Sequence, residues 1–374
     1  MDYIQRYLAE EFAGDYREGY ISRREFIHRL TLVMGSAAAA LVMMETLGCA
    51  PEPSATPTAT AAPPALTPPP PAPATTTARP TSTATPAPSP TVGPASTATP
   101  SPTATRTAAP TATQPAAPTA PPTATRAAPS GETVSPDDPA IEAGPVSFRS
   151  KTGILMLGYL SRPRAQGTYP GVLVIHENRG MLPHFPDVTR RLAKEGYAAL
   201  AIDLASREGG TAKFADSAEV SGILARASRE RVVEDMNAGL DYLRGLSYVQ
   251  RDRLGAIGFC FGGGMVWLLA VSNPELKAAV PFYGPRPPLQ DVLNMQAAVL
   301  GMYAENDNFV NPGVPDLEAA LKANRKAYQF KTYPGTGHGF FNDTGARYNA
   351  EAVRAAWKDT LDWFSLYLKG VAAR

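Results

Sequence analysis

The stretch GAIGFCFGGGM, residues 255–265, puts a cysteine where an apolar run gives way to a glycine cluster. Cys260 stands between Gly258 and Gly262 in the spacing Gly-x-Cys-x-Gly, which suits a sharp strand-to-helix turn carrying a nucleophile. A residue held in such a turn crowds the positions two before and two after it, so only residues without a large Cβ substituent fit there. A helix beginning at Phe261 or Gly262 aims free N–H groups and its positive dipole end at the sulfur and favours thiolate. A thiol nucleophile needs a base, and the base an orienting acid. Beyond residue 140 only His176, His184 and His338 offer an imidazole. His338, in PGTGHGFF, lies in a loop after an expected strand, and Asp307, in YAENDNFVNP, follows another. Each alone reads as a solvent-exposed loop residue; with Cys260 they form a set for acyl transfer. His176, in VLVIHENRG, reads as a packed imidazole. Its neighbour Glu177 is a carboxylate at the end of a buried strand, costly there unless it is hydrogen-bonded or titrates with its neighbours.

The elements that must position these residues follow from the apolar pattern between about Ile141 and Arg374. PGVLVIHE, YAALAIDL, RLGAIGFC, LKAAVPFYG, AAVLGMYAE and AYQFKTYPG read as strands. PDVTRRLAKEG, SRERVVEDMNAGLDYLRGL, GGGMVWLLAVS, VPDLEAALKAN and AEAVRAAWKDTLDWFSLYL read as helices. Near-continuous apolar strands alternating with helices predict an α/β domain, a mostly parallel central sheet flanked by helices on both faces. Ligands then belong at the carboxyl ends of the strands. The chain order Cys260, Asp307, His338 matches the nucleophile, acid, base order of the α/β-hydrolase fold.

With HENRG, DLASREGG, GFCFGG, AENDNFV and GHGFF in that order, residues 146–370 resemble the dienelactone hydrolases, or carboxymethylenebutenolidases. The resemblance implies hydrolysis of a carboxylic ester or lactone through a thioester on Cys260. It makes His338 the base and Asp307 its orienting acid, with Glu177 paired to the cysteine and regulating its ionisation. The oxyanion hole falls on the backbone N–H groups of Phe261 and Asn178. Two arginines hold the substrate carboxylate in the dienelactone-cleaving members. Arg207 in DLASREGG can take the first place, whereas the second is Asn342, which has no charge and cannot reproduce a bidentate arginine pair. A neutral or differently placed ester or lactone is therefore the expected substrate.

The rest of the chain reads as an address and a tether. In ISRREFIHRLTLVMGSAAAALVMMETLGCA, Arg23 and Arg24 precede an apolar run from Leu30 to Met44, resembling a twin-arginine export signal. Cys49 closes that run where lipoprotein signals place the lipidated cysteine, although Thr46 and Glu45 depart from the usual pattern. Residues 1–20 look helical and amphipathic, with no assignable role. Residues 51–140 are mostly Pro, Ala, Thr and Ser, with too little bulky apolar surface to fold, and predict a disordered tether. The expected location is outside the bacterial cytoplasmic membrane, anchored through the N-terminus. A formal net charge of +1 and no long basic run argue against a nucleic-acid partner. No residue cluster has metal-ligand spacing, so no metal or other cofactor is expected, and a monomer is. Cys49 and Cys260 lie in unlike surroundings and are not expected to pair. Alternative readings are a tethered domain that binds a small molecule or cell-wall component without turnover, and a peptidase or acyltransferase on the same fold.

Overall fold

The computed structural model describes residues 3–49 and 133–371, and expectations for the tether up to residue 132 lie outside these. Three helices come first: α1 (Tyr3–Arg17), α2 (Arg23–Met34) and α3 (Ala37–Thr46). Then follow β1 (Ile141–Arg149), β2 (Leu155–Pro163), β3 (Tyr169–Ile175), α4 (His184–Lys194) and β4 (Ala198–Asp203). Next come α5 (Ser217–Arg226), α6 (Arg229–Gly245), β5 (Val249–Phe259), α7 (Phe261–Ser272) and β6 (Ala278–Phe282). The chain closes with β7 (Ala298–Asn306), α8 (Val314–Ala323), β8 (Tyr328–Gly337) and α9 (Ala350–Phe364).

Among the described residues one eight-stranded sheet runs β1-β2-β4-β3-β5-β6-β7-β8. From β4 to β8 all neighbours are parallel, while β1 and β2 add an antiparallel edge. The six expected strands are β3 to β8. Parallel strands covered on both faces are apolar throughout, and β4 is buried at all six positions. The antiparallel strands β1 and β2 escaped the sequence reading because they are only part-buried and carry polar residues such as Ser147, Arg149 and Arg162. Strand order reverses at β3, which pairs with β4 on one side and β5 on the other. The crevice beyond the carboxyl ends of β3 and β5 is thus where a ligand site belongs.

The expected tether boundary at residue 140 moves back. Val134 N–H donates to Asp187 of α4 at 2.8 Å, and Lys194 donates to Asp138 at 2.7 Å, so these residues are packed onto the domain. The N-terminal helices belong to the same compact unit as the sheet. Ile4, Tyr7, Leu8, Glu11 and Phe12 form the buried stripe of α1, at the spacing of one helix face. Ser22 caps α2, its hydroxyl accepting the Glu25 N–H at 3.2 Å, and Gly35 ends the helix at φ 77°, a left-handed conformation that suits glycine. The apolar run is broken there. Helices α2 and α3 meet at 111°, and no single described helix is long and apolar enough to cross a membrane.

Candidate active site

Cys260 sits between the end of β5 and the start of α7 at φ 56°, a positive value that a residue with a Cβ adopts only under strain. The flanking glycines let the turn exist. A Cβ on Gly258 would lie 2.3 Å from the Gly262 carbonyl oxygen, and one on Gly262 would lie 2.3 Å from that of Ile175. The second contact shows α7 starting hard against the end of β3, which brings the loop with Glu177 and Asn178 beside the sulfur. The Cys260 N–H donates to the Phe282 carbonyl at 3.0 Å, tying the turn to β6. Phe261 is the first residue of α7, where a backbone N–H has no partner within the helix.

Asp307 follows β7 and is fixed by its own loop, its Oδ1 accepting N–H groups from Phe309 at 3.2 Å and Val310 at 3.0 Å. Its Oδ2 accepts from His338 Nδ1 at 2.7 Å, just beyond β8. Burial of the imidazole opposes its charge, but the Asp307 carboxylate, with help from Glu11, outweighs that and lifts His338 to about 9. Asp307 is also buried, and the imidazolium with its hydrogen bonds nonetheless holds its carboxyl below the usual range. The other ring nitrogen, His338 Nε2, is buried without a hydrogen-bond partner among the described residues.

The thiol's carboxylate partner differs from the expected one. Cys260 Sγ donates to Glu11 Oε1 at 3.1 Å, and the Tyr7 hydroxyl lies 3.4 Å from the same sulfur. Both come from α1, some 249 and 253 residues away along the chain. Glu177 instead accepts from Asn342 Nδ2 at 2.9 Å. Asn178 Nδ2 donates to Glu11 Oε1 at 2.6 Å, leaving Glu11 Oε2 buried without a partner. Burial, then the charges of Glu11 and Glu177, push the Cys260 thiol well above its ordinary range. Burial also raises Glu11 itself.

A cavity of ≈ 280 Å³ remains between α1 and the strand ends, reached by Glu11, Glu177, Asn178, Cys260, His338 and Arg347 among others. Arg347 was not singled out from sequence, since nothing local marks it. It donates to the His338 carbonyl at 3.2 Å and pairs with Asp15 of α1. Arg207, expected to hold substrate, is not part of this cavity. Its guanidinium is drawn to Asp235 at 2.7 Å and Glu234 at 2.9 Å on α6, where it neutralises a buried carboxylate. Asn342 does line the cavity. His176 is fully buried, its Nε2 accepting the Leu204 N–H at 3.0 Å and its Nδ1 facing the Glu177 carbonyl at 2.6 Å, as a packed imidazole should. Burial lowers its pKa. Cys49 lies apart from Cys260, 6% exposed, its Sγ 3.6 Å from the Leu47 carbonyl, and both cysteines are free.

Ligand atoms of Glu11, Cys260 and His338 lie within 4.8 Å of one another. This oxygen, sulfur and nitrogen set suits a borderline cation such as zinc by donor type. The unclaimed Glu11 and His338 atoms make the trio compatible with one, but only while α1 is seated. A strained thiol, an aspartate-held imidazole and two amides at converging element ends can equally perform nucleophilic acyl transfer.

The model of the dienelactone hydrolase family matches residues 156–368. A carboxymethylenebutenolidase homologue of Methylorubrum extorquens is 34% identical over 252 residues, covering 64% of this chain and 86% of its own. One from Escherichia coli (strain K12) is 36% identical over 251 residues, covering 62% and 90%. Among solved structures, a dienelactone hydrolase homologue from Klebsiella pneumoniae is 32% identical with a TM-score of 0.57, covering 61% of this chain and all of that one. A dienelactone hydrolase-like promiscuous phosphotriesterase from metagenomic libraries is 26% identical with a TM-score of 0.56, covering 61% and 99%.

Proposed function

The chain belongs to the dienelactone hydrolase family and is a carboxymethylenebutenolidase-like hydrolase, and from that premise we propose that it cleaves carboxylic esters or lactones through a thioester on Cys260. The observation that carries this reading is the strained turn holding Cys260 within reach of an imidazole already oriented by Asp307. In the reaction the sulfur attacks the carbonyl carbon and its proton passes to His338 Nε2. The Phe261 and Asn178 N–H groups stabilise the oxyanion as the C–S bond forms. His338 returns the proton to the leaving oxygen as the C–O bond breaks. Water then attacks the thioester, gives a proton to His338, and the acid leaves as Cys260 regains its hydrogen. Asn342, bound to Glu177, puts no charge on the cavity wall, which favours an acyl group lacking a carboxylate at that place.

We also propose that the chain is exported and tethered outside the cytoplasmic membrane, on the strength of the Arg23-Arg24 pair, exposed in the first turn of α2, and of Cys49. Replacing both arginines by lysine and following the protein by cell fractionation tests this; unchanged export would end it.

The catalytic reading is tested by p-nitrophenyl acetate and dienelactone hydrolysis, with Cys260→Ala alongside and mass spectrometry for an acyl group on Cys260. Acylation of Cys260 and its loss in the variant are expected. Neither acylation nor turnover by a chain whose Cys260 reacts freely with iodoacetamide would refute the thioester.

A further inference from the structure

We propose that helix α1 is an intramolecular plug of the active site, which keeps the full chain latent by seating Tyr7 and Glu11 on Cys260 until residues 3–17 leave the cleft. The proposal rests on the reading of Cys260 as the reactive nucleophile. A carbonyl must come within about 3–3.5 Å of the sulfur to react. The Tyr7 hydroxyl at 3.4 Å and Glu11 Oε1 at 3.1 Å occupy that approach, and Cys260 is left 4% exposed.

The helix also takes polar groups on the cavity wall. Glu11 accepts from the Asn178 side-chain amide at 2.6 Å, and Asp15 pairs with Arg347. The Tyr7 ring packs against Phe309 and Phe261 at 5.2 and 6.3 Å, and the Tyr3 hydroxyl donates to the Arg286 carbonyl at 2.8 Å. Along the whole site, α1 presents carboxylates to donors and rings to rings.

The seat is also one that can be vacated. With the helix docked, Glu11 Oε2 and His338 Nε2 are both buried without hydrogen-bond partners among the described residues, a cost of the seated state. The chain's route out is in line with this. Helices α1, α2 and α3 form the segment that carries Arg23, Arg24 and Cys49, so processing that removes residues before Cys49 removes the plug. Cys49, 6% exposed against Leu47, must itself lift from its seat before any enzyme can modify it.

The test is the rate at which iodoacetamide alkylates Cys260 in the full chain carrying Cys49→Ser, read by mass spectrometry. Two undocking variants are compared with it: Leu8→Asp, which puts a charge in the buried stripe of α1, and Asp15→Arg, which sets two cations together at Arg347 while sparing the apolar seat. Melting temperatures establish that the sheet domain stays folded in each. Alkylation should accelerate by about tenfold to a thousandfold, since an opened state populated at roughly 0.1–10% would set the rate in the parent. A synthetic peptide of residues 3–17 should slow it again in the Leu8→Asp chain, and the same peptide with Glu11→Ala should not. Unchanged alkylation in both folded variants would overturn the plug, as would an opened thiol unaffected by either peptide. Acceleration without ester turnover would uphold the plug and count instead against the thioester reading.

Discussion

Replacing Asp307 by asparagine removes one charge while keeping the side chain's shape, so it isolates what that carboxylate does to His338. Burial by itself disfavours the imidazolium; the carboxylate 2.7 Å from Nδ1, aided by Glu11, reverses this and carries the group from 6.5 to about 9. At 1.36 kcal/mol per pH unit the rise is worth roughly 3 kcal/mol. The folded chain holds this proton more tightly than the unfolded one. The stabilisation is therefore complete below about pH 6.5 and is lost as pH climbs through about 9. Asp307→Asn should cost about 3 kcal/mol near pH 6, and the penalty should fade above pH 9. The amide oxygen can still accept the Phe309 and Val310 N–H groups, so the loop keeps its shape. Its NH₂ group would face Nδ1 and drive the ring proton onto Nε2, the nitrogen that must accept from Cys260. The corresponding change in a serine triad lowers kcat by about 10⁴, and a loss of that order is expected in any ester turnover. NMR titration of the His338 ring, assigned with His338→Gln, and urea unfolding at pH 6 and above pH 9 measure the two effects. A ring that still titrates near 9 in Asp307→Asn, or a stability loss that ignores pH, would refute the reasoning.

Glu11→Gln should speed alkylation of Cys260 at a fixed pH near neutrality by removing a negative charge that holds the thiol protonated, and Glu177→Gln should do so less; equal rates across both variants and the parent would contradict this order. Gly262→Ala should destabilise the fold by roughly 3 kcal/mol or more, because its Cβ meets two backbone oxygens, of Ile175 at 2.3 Å and His176 at 2.5 Å. Urea denaturation measures the loss, and a neutral result would mean that α7 has room to shift. Arg207→Ala should lower stability by on the order of 2 kcal/mol, through the buried Asp235 left with only the longer Arg231 pair at 3.8 Å, while leaving the KM for a simple ester unchanged. A raised KM in a stable variant would return Arg207 to the binding site.

What could be read from the order of residues alone is what local physics controls. Gly258 and Gly262 announce a turn that no other residue fits, because the clashes they avoid lie within the turn and against the adjoining strand. The apolar runs of β3 to β7 announce buried parallel strands, because burial on both faces removes the polar alternation. The order Cys260, Asp307, His338 then puts each residue at a strand's carboxyl end. The antiparallel strands β1 and β2 were less legible, since part-exposed strands carry polar residues that blur the pattern.

The partners of those residues were decided by tertiary structure. Two carboxylates, Glu11 and Glu177, lie near the Cys260 sulfur, and the family resemblance favoured the second. With α1 docked, the first takes the sulfur and Glu177 accepts from Asn342. Arg207 was likewise claimed by Asp235, which a strand motif cannot foresee. Side-chain spacing along a helix or strand is governed by repeats of a few residues. Which charge meets which sulfur depends instead on how a helix at one end of the chain packs against a turn some 250 residues away, and only the folded molecule brings those surfaces together.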